Sequence, residues 1–158
     1  MWERLQRFRA LDPAARRIFW RGALLLPLIF FSLRLRGFRA TQTALQRLLS
    51  AVNGANLAAD APGCLAEAVT RTARMVRAAA HYSVGRATCL EESLALWWLL
   101  ARQGIPSSVR IGTRKAGGQF EAHAWVECDG IALDEGAVTH RHYAAFDATF
   151  PSLPAERS

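Results

Sequence analysis

Only three cysteines occur, at 64, 89 and 128, and no two of them form a C-x-x-C pair. An odd, scattered set argues against a disulfide framework and offers no zinc-ligand spacing. The chain also lacks a glycine-rich phosphate loop, an internal repeat, a low-complexity tract and any metal motif, so neither a metal nor a cofactor is expected. The uncharged run from Gly22 to Leu33 has twelve residues and contains Pro27, short of the roughly 20 needed to span a bilayer. No small-residue cleavage site follows close behind it, which weakens a signal-peptide reading. Acidic residues are scarce in one place. The first 39 residues hold nine arginines against two acids and account for the whole net charge of +7, whereas residues 40 to 158 balance eleven basic with eleven acidic groups.

That local basicity sits on an apolar helical segment with no nucleic-acid reader motif, so nucleic-acid binding is not expected despite the high pI. Arginine-flanked apolar helices serve three ends: packing as a buried helix pair, contact with an anionic membrane surface, or docking of an acidic partner or substrate. With 51% hydrophobic residues over 158 positions, the chain can bury one compact core without disulfide staples. The expected organisation is an N-terminal helical region over 1–80 packing on the core, a catalytic core over 81–150 and a frayed tail over 151–158.

Asp12-Pro13 reads as an N-cap followed by proline at the first helical position, starting a helix that runs toward Arg21 and breaks or kinks near Pro27. A second helical stretch is predicted over Thr41 to Ala51. Asn53-Gly54 and Pro62-Gly63 then punctuate the chain. From Cys64 to Ala80, Leu65, Val69, Thr72 and Val76 recur at helical spacing and predict another helix.

The segment Thr88-Cys89-Leu90-Glu91 has the form of a capping box, with Thr88 as N-cap and Cys89 at the first helical position. Helical spacing continues through Leu90, Leu94, Trp97 and Ala101 until Gly104 and Pro106 stop it. A cysteine is nucleophilic as thiolate, and a helix N-terminus or a nearby imidazole favours that form. The free amides there could also hold an oxyanion. The alternative for Cys89 is that of a small buried hydrophobe. Cys64 and Cys128 are read as structural or incidental.

Ser108 to Arg114 and Phe120 to Glu127 each alternate with the period of a half-buried strand, joined by a turn at Lys115-Ala116-Gly117-Gly118. Glu121, His123, Trp125 and Glu127 share one face. Asp129-Gly130 is a strong hairpin signal. A two-residue loop there sets Cys128 opposite Ile131 and Trp125 opposite Asp134, making Asp134 the diagonal neighbour of His123. A three-residue loop shifts that register. Cysteine, base and orienting acid then read as Cys89, His123 and Asp134. Asp129 and Asp147 are weaker candidates for the acid. His81, His140 and His142 have no comparable setting, and ordinary cross-strand packing is the alternative role for Trp125 and Glu127.

The runs "CLEESLALWWLLARQGIPSSVRIG" and "FEAHAWVECDGIALDEG" together resemble the transglutaminase-like (papain-like) fold and, more narrowly, the stand-alone leader peptidases of lasso-peptide biosynthesis. The resemblance covers roughly Gly85 to Gly136. It implies an α+β core in which a helix starting at the nucleophile packs on a small antiparallel sheet, preceded by an N-terminal helical region. It also implies Cys89 as nucleophile, His123 as base and Asp134 as its orienter, in a cytoplasmic cysteine protease that cuts a precursor peptide between leader and core. The partners it implies are a separate small leader-binding protein and the ATP-dependent macrolactam-forming cyclase. An acyl transferase of the same fold and a non-catalytic peptide-binding or scaffold module are the alternatives.

Overall fold

A computed structural model describes residues 12–53, 65–83, 87–116, 119–133, 144–145 and 150–151. Among the described residues three helices come first: α1 (Pro13–Asn53), α2 (Leu65–His81) and α3 (Cys89–Ala101). An antiparallel sheet follows, built from β1 (Ser108–Ala116), β2 (Gln119–Cys128), β3 (Ile131–Ala132), β4 (Ala144–Ala145) and β5 (Phe150–Pro151). Strand β2 lies between β1 and β3, while the two-residue strands β4 and β5 both pair with β1. The arrangement is α+β, as the sequence predicts.

Helix α1 departs from expectation. It does not break at Pro27, which lies inside the helix; the non-helical residue is Gly37, at φ 77° and ψ 177°. That combination is essentially open to glycine alone. Proline removes one backbone hydrogen bond and crowds the preceding turn. Around Pro27 the helix is nonetheless held by Leu25, Leu26 and Ile29, all buried in the core. The bend at Gly37 is sharp. Nine residues of straight helix span about 13.5 Å, yet the hydroxyls of Ser32 and Thr41 hydrogen-bond at 2.8 Å, and Thr41 also donates to the Gly37 carbonyl. The predicted stretch 41–51 is thus the second arm of one bent helix.

Both arms pack onto the rest of the molecule. Gly22 lets α1 approach α2 closely, since a Cβ there would lie 3.3 Å from the Ala79 Cβ. The second arm contributes Leu45 and Leu49 to the core, and the Trp98 indole donates to the Leu45 carbonyl. Helix α3 is the centre of the fold: every residue from Ser93 to Ala101 is buried, because α1, α2, β1 and β2 all contact it. It ends where predicted. Gly104 adopts a left-handed φ of 71° and the Ile105 amide returns to the Leu100 carbonyl.

The β1–β2 register pairs Ala116 with Gln119, so both strands run closer to the turn than the alternation alone suggests. Val109 and Val126 lie opposite each other and join the core. Burial is not strictly half-sided: Ala124, Trp125 and Val126 are buried in succession, so both faces of β2 are covered there. The second hairpin has the two-residue loop, with Cys128 opposite Ile131. Asp129 and Gly130 take φ values of 50° and 77°, the positive pair that a type I′ turn requires.

Candidate active site

The start of α3 is built as its sequence predicts. The Thr88 hydroxyl accepts from the Glu91 amide, and the Thr88 amide donates to Glu91 Oε2 at 2.8 Å. Two of the helix's orphan donors are thereby satisfied. Glu91 is buried, whereas Cys89 is half-buried and carries a free thiol. The cap fixes the first turn, and with it the direction of the Cys89 side chain.

Cys89 and His123 line the same pocket, of about 70 Å³. Such a volume holds several waters or the reacting atoms of one peptide bond. Ala73, Val76 and Arg77 from α2, Glu92, Ser93 and Leu96 from α3 and Leu133 after β3 complete the wall with residues 124–126. His123 is further fixed along its own strand face. Its ring stacks on Trp125 with centroids 6.0 Å apart and planes 19° from parallel. The Trp125 indole donates to Glu127 Oε1 at 2.9 Å, and Glu127 pairs with Arg110 across the sheet at 3.2 Å. The period-2 geometry of a strand aligns 123, 125 and 127 on one side, and Arg110 faces Trp125 in the β1–β2 register.

Asp134, Cys64, His140, His142 and Asp147 lie outside the described residues. The β2–β3 register continues as far as Leu133, whose amide donates to the Val126 carbonyl. Arg77 reaches across from α2 to donate to the Leu133 carbonyl. Neither Arg77 nor Glu92 stands out in the sequence as a site residue; Arg77 is one of several arginines spaced along α2. Of the remaining candidates, Asp129 is exposed in the hairpin turn and His81 is exposed at the end of α2 beside Tyr82. Ser83 donates to the Ala80 carbonyl and lines a separate apolar pocket with Leu26, Pro27, Phe30, Phe31, Ala87 and Glu91. Cys128 is buried, and its thiol donates to the Pro106 carbonyl. Burial, and then the charge of Asp129, pushes that thiol above its ordinary range. Among the described residues no cluster of three or more metal-binding side chains occurs.

A helix opening at a cysteine, set against a small antiparallel sheet that supplies a histidine, defines a protein class. The chain belongs to the transglutaminase-like superfamily, whose family model matches residues 31–146. That superfamily includes cysteine proteases and acyl transferases, and its enzymes typically work with Cys, His and Asp. Comparison with curated proteins and with solved structures gives no significant match.

Proposed function

We propose that this protein is a cysteine peptidase that removes the leader from a ribosomally made lasso-peptide precursor. The observation that carries the reading is the shared pocket of Cys89, at the start of a capped helix, and His123, on β2. In this reading His123 takes the Cys89 proton and the thiolate attacks the scissile carbonyl, forming a C–S bond. Amides at the start of α3 face the developing oxyanion. Collapse of the tetrahedral species breaks the C–N bond, His123 protonates the departing amine, and water hydrolyses the thioester. Asp134 is assigned the orienting role, holding the imidazole in one tautomer.

Hydrolysis is preferred over acyl transfer because Cys89 and His123 are both half-buried rather than sealed, so solvent reaches the acyl-enzyme. The narrower assignment to lasso-peptide maturation rests on the resemblance of the runs around Cys89 and His123. The same resemblance suggests a cytoplasmic setting, a separate small leader-binding protein and a macrolactam-forming cyclase as partners. Delivery of the precursor by the leader-binding protein would raise its effective concentration at the pocket.

The test is mass spectrometry of a candidate lasso precursor peptide incubated with the protein, with and without the leader-binding partner, comparing wild type with Cys89→Ala. The expected result is a single internal cut made by wild type only, faster with the partner. An intact precursor in every reaction with folded components rejects the peptidase reading. A precursor joined to an added amine in place of a cut favours acyl transfer.

A further inference from the structure

Outside the pocket, the most conspicuous unexplained feature is the outer face of α1. Trp20, Leu24, Leu28, Phe31 and Leu35 are between 58% and 81% exposed. Their spacings of four, four, three and four residues place them in one stripe, about 22 Å long at 1.5 Å per residue. Isolated exposed apolar side chains are ordinary, but five large ones in a row are not. The opposite face of the same arm carries Ala15, Ile18, Leu25, Leu26 and Ile29 into the core.

The border of the stripe is cationic. With 3.6 residues per turn, Arg16 and Arg34 fall along one side, Arg21 along the other, and Arg17 at the N-terminal end. Helix α1 contains seven arginines and no Asp or Glu over Pro13–Asn53. Among the described residues no carboxylate forms an ion pair with Arg16, Arg17, Arg21 or Arg34. The Arg34 guanidinium lies over the Phe30 ring, 4.9 Å from its centroid, a cation–π contact that holds the charge beside the stripe. Burial lowers the Arg21 pKa from its usual value, and the neighbouring charges of Arg102 and Arg17 lower it further, as expected of a concentrated positive field.

We infer that this face of α1 seats the protein on an anionic lipid surface, with the stripe entering the headgroup and acyl boundary and the arginines at the phosphates. An apolar helical face bordered by arginines, with an aromatic ring at one end, is the chemistry of an interfacial helix. By length and composition α1 could also cross a membrane. The geometry favours lying on the surface: spanning would strip Leu26 and Ile29, 2% and 1% exposed, from α2 and α3 and give up the close approach at Gly22.

The test is flotation of the full chain with vesicles of phosphatidylcholine alone and of equal parts phosphatidylcholine and phosphatidylglycerol. Binding is expected on the anionic vesicles only, weakened several-fold as salt rises from about 50 mM to about 500 mM. Arg17→Gln with Arg21→Gln should reduce partition roughly twenty-five-fold, since each surface arginine contributes about a fivefold factor. Leu24→Ser with Leu28→Ser should reduce it about tenfold or more. Phe120→Ser, at a side chain 79% exposed on the β1–β2 hairpin, should leave it unchanged. All these positions are exposed, and circular dichroism checks that each variant folds. Absence of flotation overturns the inference, as does flotation indifferent to the α1 changes. Self-association in sedimentation velocity that Leu24→Ser abolishes overturns it too, by assigning the stripe to a second copy.

Discussion

At the scale of single residues, Cys128 gives a pH dependence whose sign can be worked out. Its thiol is held above the ordinary value by burial and then by Asp129. As pH rises past about 8.5, the unfolded chain gives up this proton while the folded chain keeps it, so stability falls with pH. The contribution is full below the unfolded value and is lost as pH climbs through the folded one. Urea denaturation at about pH 7.5 and about pH 9.5 should therefore show a decline that is shallower in Cys128→Ala; equal declines would remove Cys128 from the account. Cys89 and His123 could be read from sequence because a capping box and a strand alternation are local patterns. Arg77 and Glu92 could not, because only the packing of α2 and α3 against the sheet brings them to the pocket wall.

At the scale of elements, the capping box is the device that sets the pocket's geometry. Thr88→Ala removes the hydroxyl acceptor for the Glu91 amide and should cost about 1 kcal/mol of stability, measured by chemical denaturation. A loss near zero would show that Glu91 alone holds the turn. Helix α3, both long strands and the Asp129-Gly130 turn were legible because caps, period and turn chemistry agree with the tertiary structure. Helix α1 was not read correctly. Proline is the stronger local breaker, but the cost at Pro27 is outweighed by burial of Leu25, Leu26 and Ile29, while Gly37 bends a stretch that sequence alone leaves ambiguous. The three buried residues in a row on β2 were likewise hidden, since alternation reports one covered face and says nothing of the second.

At the scale of the whole molecule, the family match and the folding unit have different edges. The family model starts at residue 31, yet Ala15, Ile18, Leu25, Leu26 and Ile29 belong to one core cluster shared with α2 and α3. Burial of the four larger side chains contributes about 1.5–3 kcal/mol each, a sum comparable with the whole stability of a domain, about 5–15 kcal/mol. A chain beginning at residue 31 should therefore lose its cooperative thermal transition, as followed by circular dichroism. Retention of that transition would show that α2, α3 and the sheet close without the first arm.

The bend in α1 bears on how this chain tolerates change. Gly37 is exposed, and an added Cβ would meet nothing within 4 Å, so every criterion based on crowding marks it as freely replaceable. Its backbone conformation says the opposite, because a side chain is penalised there by the residue's own main chain. A saturation survey of substitutions would set position 37 among the intolerant sites, and its intolerance, on a solvent-facing surface, would be mistaken for the mark of a binding residue.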